Sequence, residues 1–266
     1  EWAMANAFSP ICPHIHTEDG FETAEIPNQK KRRVWTRRLF LPRISCLVVP
    51  SIVLKEIALN IWKLPPKKVL YIPNGIELEK FSLPDFSMKQ EQTIGIVTRL
   101  RKVKNIPRLI DAFSSLSSSK AKLWIVGEGD EKEYLQKIVH EKGLESRIHF
   151  WGHHEDPSFL LKQMSILALS SDSEQMPICV LEAMAAGCAI ISTDVGDVKN
   201  MVCEENKPFV VPISSPELYI KKLQELIEDK NLCHSIGKKN QEKCQKEYNI
   251  EQMLESYKNL FLKTMR

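Results

Sequence analysis

The sequence of 266 residues predicts an α/β fold with parallel sheets, laid out as two units of which the first is only partly present. Short runs that are mainly continuous apolar residues, such as Ile166–Ser170 and Ala189–Thr193, alternate with stretches of helical period. Strands of that kind are buried on both faces, as parallel strands covered by helices are. The alternation is regular from Thr93 onward and irregular before it. Between the two regimes, Phe81–Gln92 contains Pro84 among mixed polar residues and reads as a domain boundary. The length is comfortable for two domains.

Before the boundary, Ala3–Phe8 reads as the tail of a helix already under way, so the chain is expected to start inside a domain. Ile11–His16 is a short strand followed by a polar loop, Thr17–Gly20. Lys30–Phe40 is a basic helix. Cys46–Val49 and Val69–Ile72 are strands, with a helix capped by Ser51 between them and the turn Pro73-Asn74-Gly75 after the second. Beyond the boundary, strands are expected at Thr93–Thr98, Lys122–Val126, Arg147–Phe150, Ile166–Ser170, Ala189–Thr193 and Phe209–Val211. Helices are expected at Ile106–Leu116, Glu131–Lys142, Ser158–Met164, Ile178–Ala186, Val198–Val202, Pro216–Asp229, Leu232–Gln245 and Glu251–Lys263.

A net charge of +3 is small for this length and does not point to nucleic acid. No apolar run reaches about 18 residues, the length that a membrane span requires. The seven cysteines are odd in number, scattered and without a Cys-x-x-Cys pair, which suggests reduced thiols in a cytoplasm. His153 and His154 lack a further ligand set at suitable spacing, so no metal site is expected.

The segment from Ser171 to Gly187 carries most of the chemistry. A polar loop holds Glu174, Pro177 opens a helix, and Glu182 follows with seven residues between the two acids. Such a loop lies at the carboxyl end of a strand, where open α/β sheets bind ligands. The helix start supplies free N–H groups and a positive dipole end, which suit a phosphate. Ala183, Ala185, Ala186 and Gly187 leave one helix face nearly bare and allow close approach to the sheet.

The segment Glu174–Gly187 resembles the two-glutamate motif of retaining glycosyltransferases of the GT-B fold, in particular the large family 4. Four further segments share the likeness in the same order: Ile72-Pro73-Asn74-Gly75-Ile76 with Phe81, Thr98-Arg99-Leu100 through Lys104-Asn105, Trp124 to Gly129, and Thr193-Asp194-Val195-Gly196. Thr98, Gln175, Asp197 and Asn200 depart from the family pattern. The resemblance implies two Rossmann-type domains facing one another across a cleft. Residues 1–80 would be the second half of the N-terminal, acceptor-side domain. Residues 81–249 would be the domain that binds a nucleotide-sugar, and 250–266 a helix returning to the first domain.

The resemblance also implies roles. Arg99 and Lys104 would neutralise the departing diphosphate, Arg99 by paired hydrogen bonds and Lys104 as a point charge; two ordinary surface cations are the alternative. Neighbouring Arg101 and Lys102 are read as solvated. Glu174 would face the transferred sugar and Glu182 the ribose hydroxyls. Met176, Pro177 and Ile178 would approach the phosphate, through the backbone N–H groups of Met176, Ile178 and Cys179, since Pro177 has none to donate. Gly127 and Gly129 would let a base or phosphate approach the backbone. They do not form a dinucleotide fingerprint, because Lys132 holds the third glycine position. Trp151 is either a wall beside the base or a core residue. In the first domain His16 or Asp19 would face the reacting sugar.

The function implied is transfer of a sugar from a UDP- or GDP-sugar to a hydroxyl acceptor, with retention and without a required metal or other cofactor. The setting would be polysaccharide, lipopolysaccharide or glycolipid synthesis, with a saccharide or lipid-linked acceptor. A binding module without turnover and a nucleotide-sugar epimerase are the alternatives. The run from Lys30 to Arg43 contains no acid and has Val34, Trp35, Leu39 and Phe40 among its cations. It is either a solvated helix face or a peripheral contact with anionic lipid, at the inner face of the membrane of a cytoplasmic protein.

Overall fold

In the computed structural model, residues 12–20, 29–81, 89–90 and 92–265 are described. The Ala3–Phe8 segment and most of the boundary lie outside them, as does Ile11. The chain forms two parallel sheets. The first contains β1 (Ile15–Thr17), β2 (Cys46–Val49) and β3 (Val69–Tyr71), in that order. The basic helix α1 (Lys31–Phe40) and then α2 (Ile52–Asn60) are its connections. Ser51 caps α2 as its sequence position suggests, accepting from the Leu54 N–H at 3.0 Å. Leu47 and Val49 pack with Leu54, Ala58 and the fully buried Trp62 on one side of this sheet.

The second sheet contains β4 (Thr93–Val97), β5 (Lys122–Val126), β6 (Ile148–Gly152), β7 (Ile166–Leu169), β8 (Ala189–Thr193) and β9 (Val210–Val211). Its order is β6-β5-β4-β7-β8-β9, all parallel. The connections are α3 (Ile106–Ser114), α4 (Lys132–Glu141), α5 (Ser158–Gln163), α6 (Ile178–Ala185) and α7 (Val198–Met201). Then α8 (Pro216–Glu228) and α9 (Lys230–Glu247) close the unit. Alternate residues of β4 and β5 enter opposite cores: Ile94, Ile96, Leu123 and Ile125 on one face, Trp124 and Val126 on the other.

Several strand ends differ from expectation: β1 spans Ile15–Thr17, and β3, β4 and β7 each stop one residue short. β6 runs on through Trp151 to Gly152, with a register shift at Ile125/Val126 that admits the extra residue. β9 begins at Val210 because Phe209 ends a 3₁₀ turn containing Pro208. The last helix, α10 (Ile250–Thr264), leaves the second unit where Ile76 and Asn249 bridge. It returns to the first sheet and packs Leu260 against Cys46, Val48 and Ile72.

The order of strands reverses between β4 and β7, with β5 and β6 on one side and β8 and β9 on the other. Crevices form at such a switch point, outside the carboxyl ends of the strands. The loops after β4 and β7 meet there.

Candidate active site

The two loops are stitched together by polar contacts. Asn105 takes a left-handed conformation (φ 44°), which Asn tolerates better than most side chains, and starts α3. Its amide donates to both oxygens of Asp172 at 3.1 and 3.2 Å, and Arg108 donates to the same carboxylate at 2.8 Å. The Asp172 N–H reaches the Val103 carbonyl at 2.8 Å, and the Ser170 hydroxyl reaches that of Lys104 at 2.9 Å. These contacts fix the backbone from which Arg99, Lys104 and Glu174 project.

Lys104 donates to Glu174 at 2.6 Å, and the Ser171 hydroxyl donates to the same oxygen at 2.6 Å. Arg99 is exposed and makes no side-chain hydrogen bond or ion pair among the described residues. The loops border a cleft of about 1020 Å³ lined by Asp19, Gly20, Asn74, Arg99, Lys104 and Glu174–Ile178, among others. A second cleft, of about 520 Å³, is lined by Gly127, Gly129, His153 and His154 and shares Thr98 and Arg99 with the first. Arg99 therefore stands at the junction of the two.

Asn74 reaches across from the end of β3 and donates to the Met176 carbonyl at 3.2 Å. Met176 and Pro177 are buried, whereas Ile178, the first residue of α6, is 52 % exposed. Among the described residues no side chain caps α6, and its start at Pro177 and Ile178 borders the cleft. Burial, with the neighbouring Glu174 carboxylate, pushes the Cys179 thiol up to about 12 and keeps it neutral.

Glu182 lines neither cleft and lies one turn into α6. Burial, reinforced by the Asp156 carboxylate, pushes its carboxyl up to about 7 against an opposing pull from Lys80. Asp19 lines the larger cleft, but His16 does not. His16 lies 3.8 Å from Glu18, which Arg37 of α1 holds at 3.2 Å. Burial alone would raise the Glu18 carboxyl, but the Arg37 hydrogen bonds and charge, with His16 alongside, hold it below its usual range.

Gly127 and Gly129 line the smaller cleft, yet their close approach is first to the chain itself. A Cβ at Gly127 (φ 137°) would collide with the Thr98 carbonyl, and one at Gly129 with that of Leu100. Trp151 is not among the residues that line the smaller cleft. It is 42 % exposed and leans on the buried Trp124 ring at 5.1 Å. Arg101, read from sequence as solvated, lines the larger cleft, and His153 and His154 line the smaller. A polar residue in a loop after a parallel strand is the only signal that the sequence holds for these three. Among the described residues no three His, Cys, Asp or Glu side chains are grouped to hold a metal ion.

Residues 82–243 match the family described as glycosyl transferases group 1. The chain belongs to that family. Among related group 1 sequences, it is 23% identical over 184 residues to an N-acetyl-alpha-D-glucosaminyl L-malate synthase of Bacillus anthracis, covering 68% of this chain and 48% of that protein. It is 27% identical over 175 residues to a diphospho-undecaprenol N-acetylgalactosaminyltransferase of Campylobacter jejuni, covering 64% and 47%. The chain thus spans about half the length of the curated relatives it matches. The fold is shared with HepE of Anabaena, solved in complex with UDP (TM-score 0.85, 16% identity, 98% of this chain and 75% of that one). It is shared also with sucrose-phosphate synthase of Thermosynechococcus elongatus (TM-score 0.81, 21% identity, 94% and 67%). The paired Rossmann-type sheets of this group 1 chain are accordingly of the GT-B kind.

Proposed function

We propose that this chain binds a UDP- or GDP-sugar and transfers the sugar, with retention, to a hydroxyl of a saccharide or lipid-linked acceptor. The observation that carries the reading is the position of Arg99, exposed at the junction of the two clefts, with Lys104 and the uncapped start of α6 beside it. A diphosphate at that junction would direct its nucleoside over Gly127 and Gly129 and its sugar towards Asp19, Gly20 and Glu174. Cleavage of the sugar–phosphate bond leaves charge on the departing diphosphate. Two cations and a helix start would stabilise that charge in place of a metal.

Lys104 is engaged by Glu174. An arriving diphosphate would compete for it and free the Glu174 carboxylate to accept from sugar hydroxyls. The acceptor would attack from the face that the diphosphate leaves, with the leaving phosphate as base. Relatives named for lipopolysaccharide core synthesis in Rhizobium meliloti and for poly(ribitol-phosphate) glycosylation in Staphylococcus aureus support a role in surface polymer assembly. The exposed Trp35 and Leu39 among the cations of α1 support a peripheral contact with anionic lipid.

Titration calorimetry with UDP and GDP, run beside a nucleotide-sugar hydrolysis assay, tests the reading. Binding with turnover supports a transferase. Binding without turnover reduces the chain to a binding module, an epimerised sugar product assigns it to another class, and no binding of either nucleotide removes the reading.

A further inference from the structure

The loop that carries Glu174 belongs to the second sheet, yet much of what holds it comes from the first. Asp197 is 1 % exposed, in the turn between β8 and α7. Its carboxylate accepts from the N–H groups of Ile52 and Val53, at 2.7 and 3.1 Å, across 145 and 144 residues of sequence. These are the first two N–H groups of α2, and Ser51 takes the third. The Asn200 amide donates to the same carboxylate at 3.0 Å. A carboxylate of one unit thus closes the helix N-terminus of the other, where both the hydrogen bonds and the dipole favour a negative charge.

The backbone of Asp197 faces the other way. Its N–H donates to the Gln175 carbonyl at 2.7 Å. Gly196 (φ 53°) makes this approach feasible, since a Cβ there would stand 2.7 Å from the Glu174 carbonyl oxygen. One residue therefore links α2 to the peptide between Gln175 and Met176, next to Glu174. Two flanking contacts work in the same direction. Gln175 lies over Gly20, where a Cβ would come 2.5 Å from its Cγ, and Asn74 holds the Met176 carbonyl.

We propose that Asp197 is a positioning residue: it ties the Glu174–Gln175 loop to the first unit, so that the sugar end of the cleft is set only when the two units are docked. The proposal rests on the reading of the cleft as a nucleotide-sugar site. It predicts a division of labour. The nucleotide contacts at Gly127, Gly129 and Arg99 lie away from this tie and do not depend on Asp197, whereas the sugar contacts do.

The test uses Asp197→Gly, which removes the carboxylate, and Asp197→Asn, which keeps its shape and one acceptor. Calorimetry compares UDP and GDP with their sugars, and hydrogen exchange follows the amides of Ser173–Met176. Nucleotide affinity should stay within about twofold in both variants. The extra affinity contributed by the sugar should fall about tenfold in Asp197→Gly, since displacements near 1 Å are costly at such sites, and less in Asp197→Asn. The loop amides should exchange faster in Asp197→Gly with or without nucleotide. Wild-type exchange and sugar selectivity in Asp197→Gly would overturn the proposal. So would parallel losses of nucleotide and sugar affinity, which would mark a merely structural role. If the wild type binds no nucleotide, the functional reading fails separately and the exchange rates alone decide the coupling.

Discussion

Arg99 and Lys104 leave the same loop in different circumstances. Among the described residues Arg99 has no partner to release before it meets a diphosphate, whereas Lys104 must leave Glu174. On the proposed reading, Arg99→Ala should lower turnover roughly 100-fold or more with little change in melting temperature, because only a contact to developing charge is lost. Lys104→Ala should lower turnover by a similar factor and also loosen Glu174, leaving the Ser171 hydroxyl to hold it. Steady-state kinetics beside thermal melts checks both, and near-normal turnover in either variant removes its assigned role. Glu182 gives a prediction in pH. Burial and the nearby Asp156 push its carboxyl up to about 7, and if Glu182 meets the ribose as the resemblance implies, the ionised form would accept best from both hydroxyls. Binding of uridine, whose lack of phosphate keeps the titration clean, should therefore tighten by about tenfold at most between pH 6 and 8. Glu182→Gln should flatten the profile. The stability linkage has the opposite sign. A carboxyl whose folded value is raised costs stability as pH rises from its unfolded value towards 7, so Glu182→Gln should stabilise the fold more at pH 8 than at pH 5. A flat wild-type binding profile would remove the ribose role.

Among the elements, α9 shows what periodicity cannot read. Its helical character and apolar face were legible, and the helix extends by two residues at each end beyond the expected span. What locks it to β8 was not. Asn240 is fully buried: it accepts from the Cys203 N–H at 3.0 Å and donates to the Cys188 carbonyl and to Asn206 at 3.0 and 2.7 Å. Asn206 in turn accepts from the Ile190 N–H and donates to the Ile190 carbonyl. Gly237 lets the helix backbone lie on the Gly187 carbonyl. A low-dielectric site makes each of these bonds expensive to orphan. Asn240→Ala strands a buried N–H and a buried carbonyl at about 1–3 kcal/mol each. The melting temperature should fall by several degrees, at about 2–4 °C per kcal/mol for a chain of this size. A change within one degree would mean that water restores the network. The same division holds at the site. Glu174, Pro177 and the α6 start were legible because a strand, a polar loop and a helix follow one another in sequence. The contacts of Asp172 with Arg108, of Asp197 with α2 and of Asn74 with Met176 were not, because they join segments 64 to 145 residues apart. The placement of His16 beside Glu18 was illegible for a similar reason, since Arg37 comes from the next helix.

For the molecule as a whole, no helix among the described residues is long and apolar enough to cross a membrane. The overall charge of +3 would attract it weakly, but the charge is unevenly placed. On α1, Lys31, Arg32 and Arg38 are exposed around Trp35 and Leu39, which are 71 % and 51 % exposed. Arg32, Trp35 and Leu39 recur at helical spacing and share one face. Val34, counted with them in the sequence, instead packs against the core of the first sheet, and Arg37 turns inward over the Trp62 ring. The outward face is thus narrower than the run of residues implied, with two apolar side chains ringed by three cations. Each such cation is worth about 1 kcal/mol beside an anionic bilayer, and the aromatic ring adds insertion at the headgroup level. Sedimentation should show binding to vesicles rich in anionic phosphatidylglycerol, less to neutral phosphatidylcholine, and release as salt rises and the Debye length shrinks. Lys31→Glu with Arg32→Glu should abolish the preference for anionic lipid, whereas Trp35→Ala with Leu39→Ala should weaken binding and leave the preference. Equal binding of the unsubstituted chain to both vesicle types would mean that the cations only keep α1 in water.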